Sequence, residues 1–119
     1  MTDDPRRFLP LSAQQFHILL ALTGEPCHGY GIIQAVRERT GGEIQLGTGT
    51  LYTALARLVS LALVADTGKE DPRRRYYRLT PLGKKVLQAE TTRLEALVRH
   101  AHASGIKGAR STAPAGSRS

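Results

Sequence analysis

Three hydrogen-bonding side chains recur at helical spacing in the middle of the chain. Thr50, Thr53 and Arg57 lie three or four positions apart, so a helix over residues 48–62 places them on one face. Arg57 is the only charged residue in that range. A threonine hydroxyl can donate to or accept from a base edge, and an arginine guanidinium can make two hydrogen bonds to guanine. With Gly49 allowing a close backbone approach, the pattern predicts a helix that discriminates DNA sequence.

A basic segment follows this helix. Residues 72–85 contain six basic side chains and no acidic one. The first three, Arg73, Arg74 and Arg75, lie at the tip of a predicted hairpin, where we expect contacts with phosphates or a narrow minor groove. The alternative is a solvated turn in which the nearby acids Glu70 and Asp71 neutralise two of the arginines. The remaining three, Arg78, Lys84 and Lys85, are interpreted as solvated.

The composition is that of one small globular domain with a basic surface. The chain has 119 residues, a formal net charge of +7 and 40% hydrophobic residues, so a polyanionic partner is expected. A single cysteine, Cys27, excludes an internal disulfide and a cysteine-based zinc cage within one chain. No apolar run approaches the ~20 residues of a membrane span, so we expect a cytoplasmic protein without a membrane partner. No set of residues predicts catalysis, a bound metal or a cofactor.

Hydrophobic periodicity predicts four helices and one hairpin. The helices span about 12–23, 28–40, 48–62 and 80–103, and the strands span 63–67 and 75–79. Ser12 with Gln15 has the spacing of a capping box. Thr48 is expected to cap the third helix, and Thr80 to cap a fourth that has Pro81 at its first position.

These elements predict a mainly α fold with a small β-hairpin, namely a winged helix-turn-helix plus a long C-terminal dimerisation helix. The predicted divisions are a flexible N-terminal arm (1–10), a winged helix-turn-helix DNA-binding domain (11–80), a C-terminal dimerisation helix (81–103) and a disordered basic tail (104–119). The last division is expected because Gly, Ala, Ser, Thr, Pro and Arg offer little to bury.

The fourth helix carries an apolar seam. Its members alternate by four and three positions, as in a coiled coil: Leu87, Thr91, Leu94, Val98 and Ala101. So small a domain cannot cover the whole seam, and a second copy of the chain is the simplest partner. A homodimer is therefore expected.

Three motifs together resemble the PadR family of bacterial transcriptional regulators. They are residues 28–32 (HGYGI), 46–52 (LGTGTLY) and 74–80 (RRYYRLT) with Gly83, in an arrangement that covers about residues 11–98. The resemblance is to the compact branch of the family. It implies a homodimeric winged helix-turn-helix repressor joined through the C-terminal helix, and the two-fold symmetry of such a dimer predicts a palindromic operator.

The resemblance also bears on two tyrosines. It implies that the Tyr52 hydroxyl contacts a backbone phosphate, the alternative being a packing role, and Tyr30 has the same two interpretations. Two departures from the family pattern are visible: Thr48 stands where many members have proline, and the chain has no tryptophan. Some members hold planar drugs between tryptophans at the dimer interface, so that mode is not implied here.

Two alternatives stay open. A winged helix can serve as a protein-interaction module without direct DNA binding. The protein can also be a sensor in which a small-molecule effector of unknown identity binds at the dimer interface and DNA binding is the output.

Overall fold

The computed structural model describes residues 4–71 and 74–109, without the side chains of residues 69–71 and 74. It confirms a mainly α, winged helix-turn-helix fold with a long C-terminal helix. The elements in chain order are a 3-10 helix Pro5–Phe8, α1 Ala13–Ala21, β1 Cys27–His28, α2 Gly29–Arg39, α3 Thr48–Ser60, β2 Val64–Asp71, β3 Arg74–Leu79 and α4 Pro81–Ala103. None of the helices in these residues is both long and apolar enough to cross a membrane.

Two helix starts follow the predicted capping chemistry. The Ser12 hydroxyl accepts from the Gln15 amide at 3.0 Å, and the Gln15 side chain accepts from the Ser12 amide at 3.0 Å. At α4 the Thr80 hydroxyl accepts from the Gly83 amide at 2.9 Å and donates to the Ala62 carbonyl at 2.7 Å. Thr80 therefore caps α4 and also joins its start, through a hydrogen bond, to the turn that follows α3.

Both ends of α3 differ from the prediction. Thr48 was expected to be the cap, but Gly47 occupies that position with φ −77° and ψ 161°, and no side chain caps the helix. The helix ends at Ser60 because Ala62 adopts a left-handed φ of 64°. The Leu63 amide then bonds the Leu58 carbonyl at 3.0 Å, closing the helix as a glycine usually does. Alanine carries no sequence signal for that ending.

The sheet has one strand more than predicted. Its order is β1-β3-β2, and β1 pairs Cys27 with Tyr77 and His28 with Tyr76. A two-residue strand leaves no periodicity in the sequence, so it was missed. The hairpin strands also extend further toward the tip than predicted, because β2 runs to Asp71 and β3 begins at Arg74.

All the helices and the sheet contribute to one core. Its fully buried side chains come from every layer: Ile18, Leu19, Leu22, Ile32, Val36, Leu51, Leu55, Leu58, Leu63, Val64 and Val86. Gly83 marks where α4 meets the hairpin of β2 and β3, which we call the wing. A Cβ at Gly83 would lie 2.8 Å from Leu79 Cδ1 and would collide with the Leu63 carbonyl oxygen. The first turn of α4 is therefore docked too closely for any side chain at that position.

Residues 4–10 of the predicted N-terminal arm contact the rest of the domain. Within it the Pro5–Phe8 turn is capped by Asp4, and Phe8 and Leu9 pack against the core. The Leu11 amide donates to Glu90 Oε2 of α4 at 3.0 Å. At the other end, α4 stops at Ala103, and residues 110–119 of the predicted tail lie outside the described residues.

Candidate nucleic-acid interface

The residues predicted to discriminate DNA sequence lie together on the exposed face of α3. Gly49, Thr50, Thr53 and Arg57 are all exposed, and they line a shallow depression with Ala54 and with Gln14 from α1. The opposite face is fully buried: Leu51, Leu55 and Leu58 are each no more than 1% exposed. Core packing fixes the rotation of the helix, so the polar face cannot turn inward. We call this face the α3 surface.

Arg57 has no acidic partner among the described side chains, which leave out residues 1–3, 69–74 and 110–119. The ion pairs found there are Arg6–Asp4, Arg75–Asp66 and Arg93–Glu90. Among the described residues, neither glutamate nor aspartate lines the depression. The α3 surface therefore offers two hydroxyls, one amide side chain and one positive charge that no described acid neutralises.

Tyr52 connects α3 to the start of α2. A Cβ at Gly29 would lie 2.8 Å from Tyr52 Cζ and would collide with the hydroxyl, so the tyrosine ring lies against the first residue of α2. The Tyr52 side chain is nevertheless 45% exposed. The first amides of a helix have no partners inside the helix and favour anions. This position is compatible with both interpretations of Tyr52, as a packing residue and as a phosphate contact.

Tyr30 lies on the first turn of α2 and is 64% exposed. Its hydroxyl accepts from Gln34 Nε2 at 3.1 Å. The helix start itself is capped by His28, whose Nδ1 accepts from the Gly31 amide at 3.1 Å. The Tyr30 hydroxyl and the His28 ring therefore lie at the start of α2, the helix end that Tyr52 contacts.

One arginine of the wing is already paired. Arg75 Nη1 lies 2.6 Å from Asp66 Oδ2, and Asp66 also accepts from the Gly68 amide at 2.9 Å. The Gly68 amide and the Arg75 guanidinium hold the pKa of Asp66 below its usual value. Asp66 thus neutralises Arg75, while the side chains of Glu70 and Asp71, the acids expected to neutralise two of the arginines, lie outside what the structure describes. Arg73 lies outside the described residues, and of Arg74 only the backbone, paired with Asp71, is described.

Two polar residues of this region were not predicted as site residues. Gln14 lines the α3 surface from α1, and Arg7 shares a second depression with Arg57. Each is more than thirty positions from its α3 neighbour in the chain, so no local pattern could have found it.

The predicted dimerisation residues divide into two groups. Leu87 is 5% exposed and belongs to the core of its own protomer, since α4 lies against the domain there. Beyond it the same side of α4 is uncovered, with Leu94 38% and Val98 52% exposed. Thr91 is exposed, Ala101 is half-buried, and the unpredicted Leu97 is 49% exposed. We call the exposed apolar patch of Leu94, Leu97 and Val98 the α4 patch.

Known proteins share this arrangement. A model of the transcriptional regulator PadR-like family matches residues 18–89. A PadR family transcription regulator from Clostridium difficile is 30% identical, with a TM-score of 0.65 over 76% of this chain and 96% of that one. Bacillus subtilis PadR, solved in complex with operator DNA, is 21% identical, with a TM-score of 0.58 over 66% of this chain and 47% of that one. The latter likeness shows a shared fold.

A sequence relative is a 37.1 kDa protein of a Streptomyces fradiae transposon, 42% identical over 76 residues. The match takes in 64% of this chain and spans only 21% of that protein. The matching family consists of transcriptional regulators and not of enzymes. Because its model covers more than half of the residues, this chain belongs to the PadR-like family of transcriptional regulators.

Proposed function

We propose that the protein is a homodimeric, cytoplasmic transcriptional repressor that binds a palindromic operator in double-stranded DNA. The observation that carries the proposal is the α3 surface. It is polar, exposed and held in place by the buried leucines behind it, and its one charge, on Arg57, has no acidic partner among the described side chains. The Bacillus subtilis protein of the same fold was solved with operator DNA.

In this proposal α3 lies in the major groove and reads bases. Thr50 and Thr53 offer hydroxyls and methyl groups, and Arg57 offers the two-pronged contact to guanine, worth about 1–3 kcal/mol of discrimination. Gly49 has no neighbour within 4 Å of the position its Cβ would take. The open space there suits close approach of the DNA to the backbone.

Phosphates are bound on either side of α3. Tyr52 and Tyr30 lie at the start of α2, where the helix dipole and the free amides favour an anion. On the wing, Arg73 and Arg74 carry the phosphate contacts, with a smaller contribution from Arg75 because Asp66 shares its charge. These contacts supply affinity without sequence preference.

Dimerisation places two α3 surfaces on one face of the assembly. The α4 patches of the two protomers cover each other, and the half-sites are spaced near one helical turn or a multiple of it. A small-molecule effector of unknown identity would act by changing the angle between the two α4 helices. A depression beside Leu94 and Val98, lined also by Phe16, Glu95 and Arg99, lies at the edge of this interface.

The test is binding to an operator selected from random DNA. If each protomer neutralises about three to five phosphates, the log–log slope of affinity against salt is on the order of −5 to −9 for the dimer. A matched fragment of scrambled sequence serves as the control and should bind more weakly at every salt concentration. The absence of DNA binding at moderate salt would contradict the proposal and favour a protein-interaction module.

A further inference from the structure

Gln14 brings a second helix, α1, to the α3 surface. It is exposed, and it lines the depression of about 630 Å³ that also contains the residues predicted to discriminate DNA sequence. The next residue, Gln15, lines a separate depression with Arg57 and Leu61 at the end of α3. The first turn of α1 therefore borders the second half of α3, from Ala54 to Leu61.

The side chain of Gln14 is available for a partner, although the helix turn that carries it is held in place. Ser12 and Gln15 each use their side chain in the capping box, with both hydrogen bonds at 3.0 Å. The Leu11 amide donates to the buried Glu90 carboxylate at 3.0 Å, which anchors the start of α1 to α4. Within the part of the chain that the structure describes, no hydrogen bond joins the Gln14 side chain to another residue. Binding a partner therefore restricts the rotamers of one side chain and requires no backbone ordering.

The width of the DNA major groove determines which part of the DNA Gln14 can reach. An α-helix with its side chains is about 10–12 Å across, and the major groove is about 12 Å wide. A helix such as α3 fills the groove by itself, so a residue on the helix beside it faces the sugar–phosphate strand at the groove edge. A phosphate oxygen accepts hydrogen bonds, and Nε2 of the glutamine side chain carries two N–H donors.

We propose that the Gln14 side-chain amide donates a hydrogen bond to a phosphate oxygen of the DNA strand that borders the major groove beside α3. The inference rests on the proposed function, because α3 must lie in the groove for Gln14 to reach that strand. A phosphate contact fixes the position of the protein on DNA and carries no sequence information. Gln14 is neutral, so the contact neutralises no phosphate and releases no counterion. Its contribution to affinity is therefore independent of salt, unlike that of an arginine.

Two substitutions at Gln14 test the contact. Alanine and lysine are both good helix formers, so neither should disturb α1. Gln14→Ala should lower operator affinity about tenfold for the dimer, by a similar factor at every salt concentration and on a scrambled fragment. Gln14→Lys keeps a donor and adds a charge, so it should retain affinity at moderate salt. It should also make the log–log slope of affinity against salt steeper by about 2 for the dimer.

Gln88 of α4 provides a matched control. It is also an exposed helical glutamine, and it lines a depression to which no described residue of α3 contributes. Gln88→Ala should bind the operator within about twofold of the wild type, and Gln88→Lys should change the slope by less than about 1. Thermal melts of all four variants check that the fold is retained.

Phosphate ethylation locates the contact. Ethylation of single phosphates should interfere with binding of the wild type at one more position per half-site than with binding of Gln14→Ala. Equal operator affinities of Gln14→Ala and the wild type, or identical interference patterns, would overturn the inference. Loss of base preference at one position per half-site by Gln14→Ala would also overturn it and would identify a base contact. A wild type that binds no operator would instead refute the proposed function itself.

Discussion

The α3 surface and the α4 patch are both uncovered in one protomer, yet their chemistry is opposite. The first exposes Thr50, Thr53 and Arg57, whereas the second exposes Leu94, Leu97 and Val98. A polar face whose cation no described acid neutralises is well solvated in water, and it can also bind an anionic, hydrogen-bonding partner. An apolar patch on a helix gains most from a surface like itself. Exposure alone does not tell the two apart; the side-chain chemistry does.

The largest effect is expected from charging the α4 patch. The double variant Leu94→Glu/Val98→Glu should yield a monomer, because two carboxylates cannot be buried against their symmetry copies. Operator affinity should then fall on the order of 100-fold or more. In a dimer, binding of one protomer raises the effective concentration of the other at the second half-site, and a monomer lacks this effect. Sedimentation and fluorescence anisotropy measure the two effects.

Its control is Gln88→Glu/Thr92→Glu, which adds the same charges on another side of α4. That variant should remain a dimer and bind within about threefold of the wild type. If the patch variant stayed dimeric, the assignment of the α4 patch as the dimer interface would be wrong.

Substitutions at two glycines should separate effects on folding stability from effects on DNA binding. Gly83→Ala should lower the free energy of unfolding by about 1–3 kcal/mol, because the added methyl collides with the Leu63 carbonyl. Gly49→Ala has open space, so it should raise the stability of α3 by up to about 1 kcal/mol. The same methyl should weaken operator binding by holding the DNA away. Urea unfolding and anisotropy on both variants test the contrast, and a destabilised Gly49→Ala variant would refute it.

Glu90 links the N-terminal segment beside the α3 surface to α4. The Arg93 guanidinium, with Nε 2.6 Å away, is the main cause that holds the pKa of this buried carboxyl below its usual value of 4.5, although burial raises it. A lowered folded-state pKa contributes stability above the unfolded-state value, and that stability is lost as the pH falls through the folded-state pKa. The free energy of unfolding should therefore decrease below about pH 4.5. Glu90→Gln should show a shallower decrease over that range in urea titrations at successive pH values. Parallel curves for the two proteins would show that Glu90 does not contribute to the pH dependence of the free energy of unfolding.

The smallest effect is expected on the wing. Arg75→Ala should reduce operator affinity by no more than about threefold, because Asp66 shares its charge and an exposed pair contributes little to stability. Asp66→Asn should increase nonspecific DNA binding by releasing Arg75. Anisotropy at low salt measures both, and a large loss for Arg75→Ala would show that the guanidinium leaves Asp66 when DNA binds.

Sequence patterns predicted the parts of the molecule that depend on neighbouring residues. Ser12 with Gln15 and Thr80 with Pro81 start helices through contacts within one turn, and the buried stripe of α3 follows helical periodicity. Three features escaped prediction because they arise through space or without a distinctive residue type. These are the strand Cys27–His28, the left-handed Ala62 that ends α3, and the position of Arg7 beside Arg57.

The seam of α4 shows the same limit. Leu87 and Val98 occupy equivalent positions in its repeat, so the sequence predicts the same role for both. The three-dimensional structure shows that the domain buries Leu87 and leaves Val98 exposed. The residues proposed to contact DNA likewise depend on which face of α3 the core leaves exposed.

The most direct test is selection of bound DNA by the wild type, Arg57→Ala and Thr50→Ala from the same random library. The wild type should select a palindrome, and each variant should lose preference at one position per half-site while keeping the rest. Selection of an identical motif by all three proteins, or of no motif by the wild type, would contradict the assignment of base reading to the α3 surface.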